Sequence, residues 1–256
     1  MAMKMRLIRM AAAMILIACG VAAVEAQTMK SAQKSALDAK QQSMLTIAAF
    51  SGMGDMDKLP SALAQGLDAG LTINEIKEVL VQVYAYAGFP RSLNAIAGFQ
   101  AVLEERREKG INDIEGKAAS PMPADRTSLE FGTENQTRLF GQPIRGGIYE
   151  FAPAIDHFLK AHLFGDIFQR DVLDWKQRQL TTIGILSGIS GVEPQLQGHL
   201  ATGLRQGLTV EQLRAAAAVV GDSLGKQYGD TMTRLIDGVI KKQETAGQQP
   251  AGSARQ

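Results

Sequence analysis

Two stretches decide the fold: LDAKQQSMLTIAAFSGMG, Leu37 to Gly54, and LDWKQRQLTTIGILSGIS, Leu173 to Ser190. They align at an offset of 136 residues. Farther on, ALAQGLDAGLTINEIKEVL from Ala62 aligns with HLATGLRQGLTVEQLRAAA from His199 at an offset of 137, so one residue is inserted between the blocks. Self-similarity at one fixed distance is the mark of a duplicated unit. The chain therefore reads as two copies of one element set, Leu37 to Glu105 and Leu173 to Lys242.

Within each copy the apolar residues recur at helical spacing. Leu45, Ala48, Ala49 and Gly52 share a face, as do Leu63 with Leu67 and Ile76 with Val79, Leu80 and Val83. Gly70 suits a left-handed helix end, and Thr72 with Glu75 three residues on has the capping-box pattern that starts the next helix. The second copy repeats the punctuation with Gly207, Thr209 and Gln212. No segment sustains period-two alternation, so the expected fold class is all-α, a tandem pair of helical units.

One helix is broken by design. In VYAYAGFPRSLNAI, Val83 to Ile96, Gly88 can take a positive φ to end a helix. Pro90 blocks its continuation and suits the first turn of the next one. Phe89 between them reads as a packing anchor. The second copy keeps Gly225 at the place of Gly88 but has no proline there.

The remaining segments divide as follows. Residues 1–26 read as a signal peptide: Lys4, Arg6 and Arg9 precede an apolar run from Met10 to Val24, and Val24-Glu25-Ala26 offers a small-residue cleavage site. The run is shorter than the roughly 20 residues that span a bilayer. A second reading takes Leu16-Ile17-Ala18-Cys19 as a lipobox that leaves Cys19 as a lipidated N-terminus; cleavage after Ala26 is preferred because the apolar run continues past Cys19. Both readings place the protein in the periplasm or outside the cell. The first unit spans 37–105, a linker and irregular segment 106–153, the second unit with its amphipathic lead-in 154–242, and a disordered tail 243–256. In the lead-in, Ile155, Phe158, Leu159, Leu163, Ile167 and Phe168 form the expected buried side, and Phe131 to Gly147 is expected to be irregular.

Composition narrows the function classes. The 256 residues are 45% apolar and 21% charged with a net charge of +1, a globular balance without the basic face that nucleic acid or an anionic membrane requires. No membrane partner is expected apart from a lipid anchor at Cys19. With three histidines and one cysteine there is little to build a metal site, and His157 and His162, five apart, diverge on a helix. Asp222, Lys226 and Asp230, four apart, read as ordinary helix ion pairing.

The duplicated "LD-x-K-Q" and "GLT" blocks, YAGFPRSLNAI and HLFGDIFQRDVLD together resemble the carboxymuconolactone decarboxylase family, which shares its fold with alkylhydroperoxidase D. The resemblance covers about Leu37 to Val239. It implies helical units that assemble into trimers or hexamers; a tandem chain would form a homotrimer resembling a six-unit ring. The peroxidase branch of that family uses Cys-x-x-Cys followed by His. Here the matching places hold Val192, Gln195 and His199 in the second copy and Asp55, Lys58 and Ala62 in the first, so thiol chemistry is not expected. The decarboxylase branch implies acid/base chemistry without a cofactor on a small carboxylated lactone or keto acid.

Such a site needs a cation for a carboxylate and a group that moves one proton. Glu75, Glu78, Gln82 and Tyr86 form one stripe on a helix face, and Arg91 follows just past the break. The second copy erases the stripe but keeps His199. A composite site is the expectation: His199, Glu78 and Glu75 as catalytic groups, Arg91, Tyr86 and Gln82 as substrate-binding ones. Gln82 departs from the histidine that the resemblance implies near that place. The competing reading is a non-catalytic oligomeric binding or scaffold protein, in which these residues are exposed or satisfy one another. A polar stripe is most often a solvated face.

Overall fold

The computed structural model describes residues 36–248. The first copy folds as α1 (Ala39–Met53), α2 (Leu59–Asp68), α3 (Ile73–Ala87) and α4 (Phe89–Glu108); the second as α8 (Trp175–Ser187), α9 (Glu193–Arg205), α10 (Val210–Leu224) and α11 (Lys226–Gln248). Between them lie α5 (Ser128–Phe140), α6 (Ile148–Phe151), α7 (Pro153–Phe158) and a π-helical segment, Leu159–Ile167. Among the described residues there is no strand, and the protein is all-α.

Local chemistry sets several helix ends alike in both copies. Asp38 and Gln41 cap α1 reciprocally as Asp174 and Gln177 cap α8, and Thr72 with Glu75 caps α3 as Thr209 with Gln212 caps α10. At the end of α2 the amide of Leu71 donates to Gly66 O and that of Gly70 to Leu67 O; Leu208 and Gly207 repeat this on Gly203 and Leu204. That six-to-one and five-to-two pattern needs a residue at positive φ, supplied by Gly70 and Gly207. The αα corner is conserved between copies too: Gly88 and Gly225 both combine positive φ with extended ψ.

The two copies share their interiors. α1 and α8 cross at close range because small residues line the crossing: a Cβ on Gly184 would fall 2.7 Å from Leu45 O, and one on Gly188 2.6 Å from Ala49 O. α8 then lies against α3, and α1 against α10, so each copy's first helix packs on the third helix of the other. Leu173 and Ile185 enter the core of the first copy, and Leu37 and Leu45 that of the second. Neither copy closes its core alone.

The intervening segment differs from expectation. Ser128–Phe140 is a helix, opened by a Thr127/Glu130 capping box, where an irregular stretch was expected. It exists because it has something to pack on. Gly132 admits the Lys160 carbonyl and Gly165 admits the Ser128 carbonyl, while Asn135 Nδ2 donates to Phe164 O at 2.8 Å. The lead-in is also not one regular α-helix. Its π-helical turns rotate the buried face, so Leu163, Phe164, Ile167 and Phe168 are buried while Ile155 and Phe158 are exposed, against the α-helical spacing that placed both inside. Residues before α5 are not a free linker: Ile73 N donates to Ile114 O and Asn74 N to Glu115 O, satisfying amides at the start of α3.

Three smaller expectations also shift. Phe89 is 62% exposed, stacked flat on Tyr84 at 4.4 Å instead of anchoring a core. Asp222 sits in α10 and Lys226 in α11, with Gly225 breaking the helix between them, and Lys226 pairs with Asp230. Helix α11 runs through Gln248, past the expected start of the tail at 243. The signal peptide, Cys19 and residues 249–256 lie outside the described residues.

Candidate functional site

The stripe on α3 does not face solvent. It lies against α8, and its residues are joined there to partners from the second copy. Glu78 is 4% exposed and its carboxylate accepts from two guanidiniums: Arg170 Nε at 2.9 Å and Nη2 at 2.6 Å, and Arg178 Nη2 at 3.2 Å. Arg178 is wholly buried and also donates to Gln82 Oε1 at 2.9 Å and to Arg170 O at 2.6 Å. Gln82 Nε2 in turn donates to Arg178 O and to Thr182 Oγ1. Glu78 and Gln82 of α3 are thus tied to Arg170, Arg178 and Thr182 across the junction of the copies. Interlocked hydrogen bonds of this kind hold their members in one geometry.

One turn further along α3, Tyr86 meets His199 of α9 edge-on, with ring centroids 5.6 Å apart. The composite arrangement of Tyr86 and His199 from different copies is thus formed within one chain. His199 Nδ1 donates to Gln179 Oε1 at 2.9 Å, which leaves Nε2 as the basic nitrogen of the neutral ring. Although His199 retains some surface as a residue, the packing around its ring removes solvent from the charged form and lowers its pKa from 6.5 to about 4. Burial pushes the Tyr86 phenol well above its ordinary range, opposed weakly by the nearby Thr182 hydroxyl and the Arg178 charge. The Thr182 proton is already committed to Arg178 O. The Tyr86 hydroxyl, Gln179 Nε2 and Arg178 Nε are buried without a hydrogen bond among the described residues.

The other two expected site residues are used elsewhere. Glu75 closes the capping box of α3, accepting from Thr72 N at 2.7 Å, and pairs with Lys40 at 3.1 Å. Arg91 donates to Gly52 O at 2.7 Å and packs on Gly54, capping the end of α1. Tyr86 and Arg91, on either side of the break at Gly88, have separate partners, His199 and Gly52 O. The residues that sequence reasoning missed are Arg170, Arg178 and Gln179. A signal was present for Arg178: it is a charged residue in a helix whose flanks, Leu180 and Ile183, are core, and it replaces Gln42 of the first copy.

His199 makes folding sensitive to acid. The unfolded chain binds a proton at this residue as the pH falls through about 6.5, whereas the folded chain resists until about 4. Its contribution to stability is therefore complete above 6.5 and is lost progressively down to about 4. Melting curves from pH 7 to 4.5 should show a smaller fall in Tm for His199→Gln than for the wild type.

A model of the carboxymuconolactone decarboxylase family matches residues 20–101 and 153–226, one region in each copy. No curated protein matches the chain. The two matched regions cover well over half of the sequence and hold both halves of the Glu78, Arg178 and His199 cluster, and the chain belongs to the carboxymuconolactone decarboxylase family.

Proposed function

We propose that this protein is a non-catalytic, oligomeric binding or scaffold member of its family, exported to the periplasm or beyond after removal of residues 1–26. The observation that carries this reading is the state of its ionisable groups. Glu78 is held between two guanidiniums, the His199 pKa is driven down to about 4, and that of Tyr86 is driven up. A general acid or base works best with a pKa near the working pH, and burial moves His199 and Tyr86 away from it in opposite directions. Glu75 and Arg91 are engaged in ending and starting helices.

The oligomer is supported by apolar residues left on the surface. Phe89, Leu93 and Ile96 line one face of α4 at helical spacing, and Phe151 is 91% exposed. A homotrimer, giving six units in a ring, fits the tandem chain. Sedimentation should then give the mass of three chains.

A second reading, acid/base chemistry on a small carboxylated lactone or keto acid without a cofactor, draws support from one observation. The unpartnered Tyr86 hydroxyl and Gln179 Nε2 beside His199 are donors of the type that would hold an oxyanion. Incubating the purified protein with γ-carboxymuconolactone and following release of carbon dioxide separates the two. The expected result is a rate equal to buffer for wild type and His199→Ala alike. Turnover by the wild type that disappears in a folded His199→Ala variant would overturn the proposal in favour of the enzyme.

A further inference from the structure

The duplication implies that the junction between α3 and α8 has a counterpart between α10 and α1. It does, and the counterpart is hollow. Arg178, Gln179 and Thr182 of α8 correspond to Gln42, Ser43 and Thr46 of α1, and His199 corresponds to Ala62. Gln82 and Tyr86 of α3 correspond to Val219 and Ser223 of α10. These six counterparts, five of them substituted and Thr46 unchanged, line a cavity of about 310 Å³ that opens to the surface. The same framework thus encloses one position packed with Arg, His and Tyr and another where smaller side chains leave space.

We propose that this cavity binds a small, uncharged, hydroxylated molecule such as a polyol or pentose. Its volume lies at the small end of the range for ligand sites. Its lining is mixed: Ala62 and Val219 give an apolar floor, both buried, while Ser43, Thr46 and Ser223 give hydroxyls and the Gln42 amide, which donates to Leu37 O at 2.8 Å, forms part of the wall. Thr46 and Ser223 hydroxyls face one another at 3.5 Å across the junction of the copies. The Thr46 proton is committed to Gln42 O at 2.9 Å, so its oxygen is offered as an acceptor. The Ser43 hydroxyl belongs to the same lining. Among the described residues no side chain lining the cavity is ionisable, so a carboxylate entering it would lose water without gaining a countercharge from them. A hydroxyl can both donate and accept, and it finds both kinds of partner here.

The counterpart position provides the plug for a test. Ser223→Tyr and Ser43→Leu each place bulk in the cavity, from opposite helices, without touching the Glu78 and Arg178 network. Titration of the full oligomer with erythritol and D-xylose, and with their carboxylate counterparts erythronate and xylonate, is followed by saturation-transfer NMR. The expected result is binding of at least one neutral compound, at least tenfold weaker binding of its carboxylate, and at least tenfold weakening by either variant with an unchanged melting temperature. Binding that survives both variants, a carboxylate bound as tightly as its neutral partner, or no binding of either neutral compound would each overturn the proposal. The inference does not depend on whether His199 turns over a substrate. Lactone turnover with the cavity proposal intact, or loss of polyol binding without turnover, distinguishes failure of one from failure of the other.

Discussion

Glu78→Ala should cost about 3–5 kcal/mol of folding free energy, because breaking a buried pair from one side strands the charge that remains. That charge is Arg178, which is wholly buried and would keep only Gln82 Oε1 and Arg170 O as partners. At about 2–4 °C of Tm per kcal/mol for a chain of this size, the melting temperature should fall by roughly 10 °C. The two arginines are not equivalent. Arg170→Ala should cost far less, on the order of 1 kcal/mol, since its side chain is 42% exposed and Arg178 remains on the carboxylate. Replacing both buried charges with apolar residues, Glu78→Met with Arg178→Leu, should recover much of the loss, since a buried ion pair often contributes little beyond a well-packed apolar one. Thermal melts of the three variants check the order. Equal losses for Glu78→Ala and Arg170→Ala would show that Arg178 is not dependent on Glu78.

Gly184→Val is the second large effect, and it is steric. The position lies where α8 crosses α1, and its Cβ would meet a backbone carbonyl at 2.7 Å and the Ala48 Cβ at 2.9 Å. Neither helix can yield without moving a core, since Leu45 on one side and Ile185 on the other are each buried in the opposite copy. Overpacking of this kind costs typically about 1–3 kcal/mol, and the valine should reach the upper end. A control comes from the same chain. Gly198 lies within α9 and a Cβ there would meet nothing within 4 Å, so Gly198→Ala should be neutral or stabilise by roughly 0.5–1 kcal/mol through helix propensity alone. Denaturant titration gives both values, and comparable losses at the two positions would refute the steric account of the crossing.

The stability of this protein therefore rests largely on the junction between its copies. Its first helices, α1 and α8, each serve two cores. Glu78, Gln82 and Tyr86, which looked in sequence like a site on one face of α3, are drawn into that junction, and the same burial raises the Tyr86 pKa.

Several features were legible from the residues alone because they are local. Capping boxes at Thr72 and Thr209 depend on residues three apart, and the helix ends at Gly70 and Gly207 depend on one glycine each; neither needs a distant partner. The duplication and the all-α class follow from periodicity and self-similarity. Even the missed helix Ser128–Phe140 had a local sign in Thr127 and Glu130, hidden by Gly132 and a polar run whose reason for being there was the Lys160 carbonyl. What only the tertiary structure decided is which partners face each other across the junction. Glu78 reads the same on paper whether it faces water, a substrate or Arg178, because burial and charge pairing depend on residues about a hundred positions away. The hollow at Ser223 is likewise the product of small residues on different helices, and no linear spacing records the space they leave.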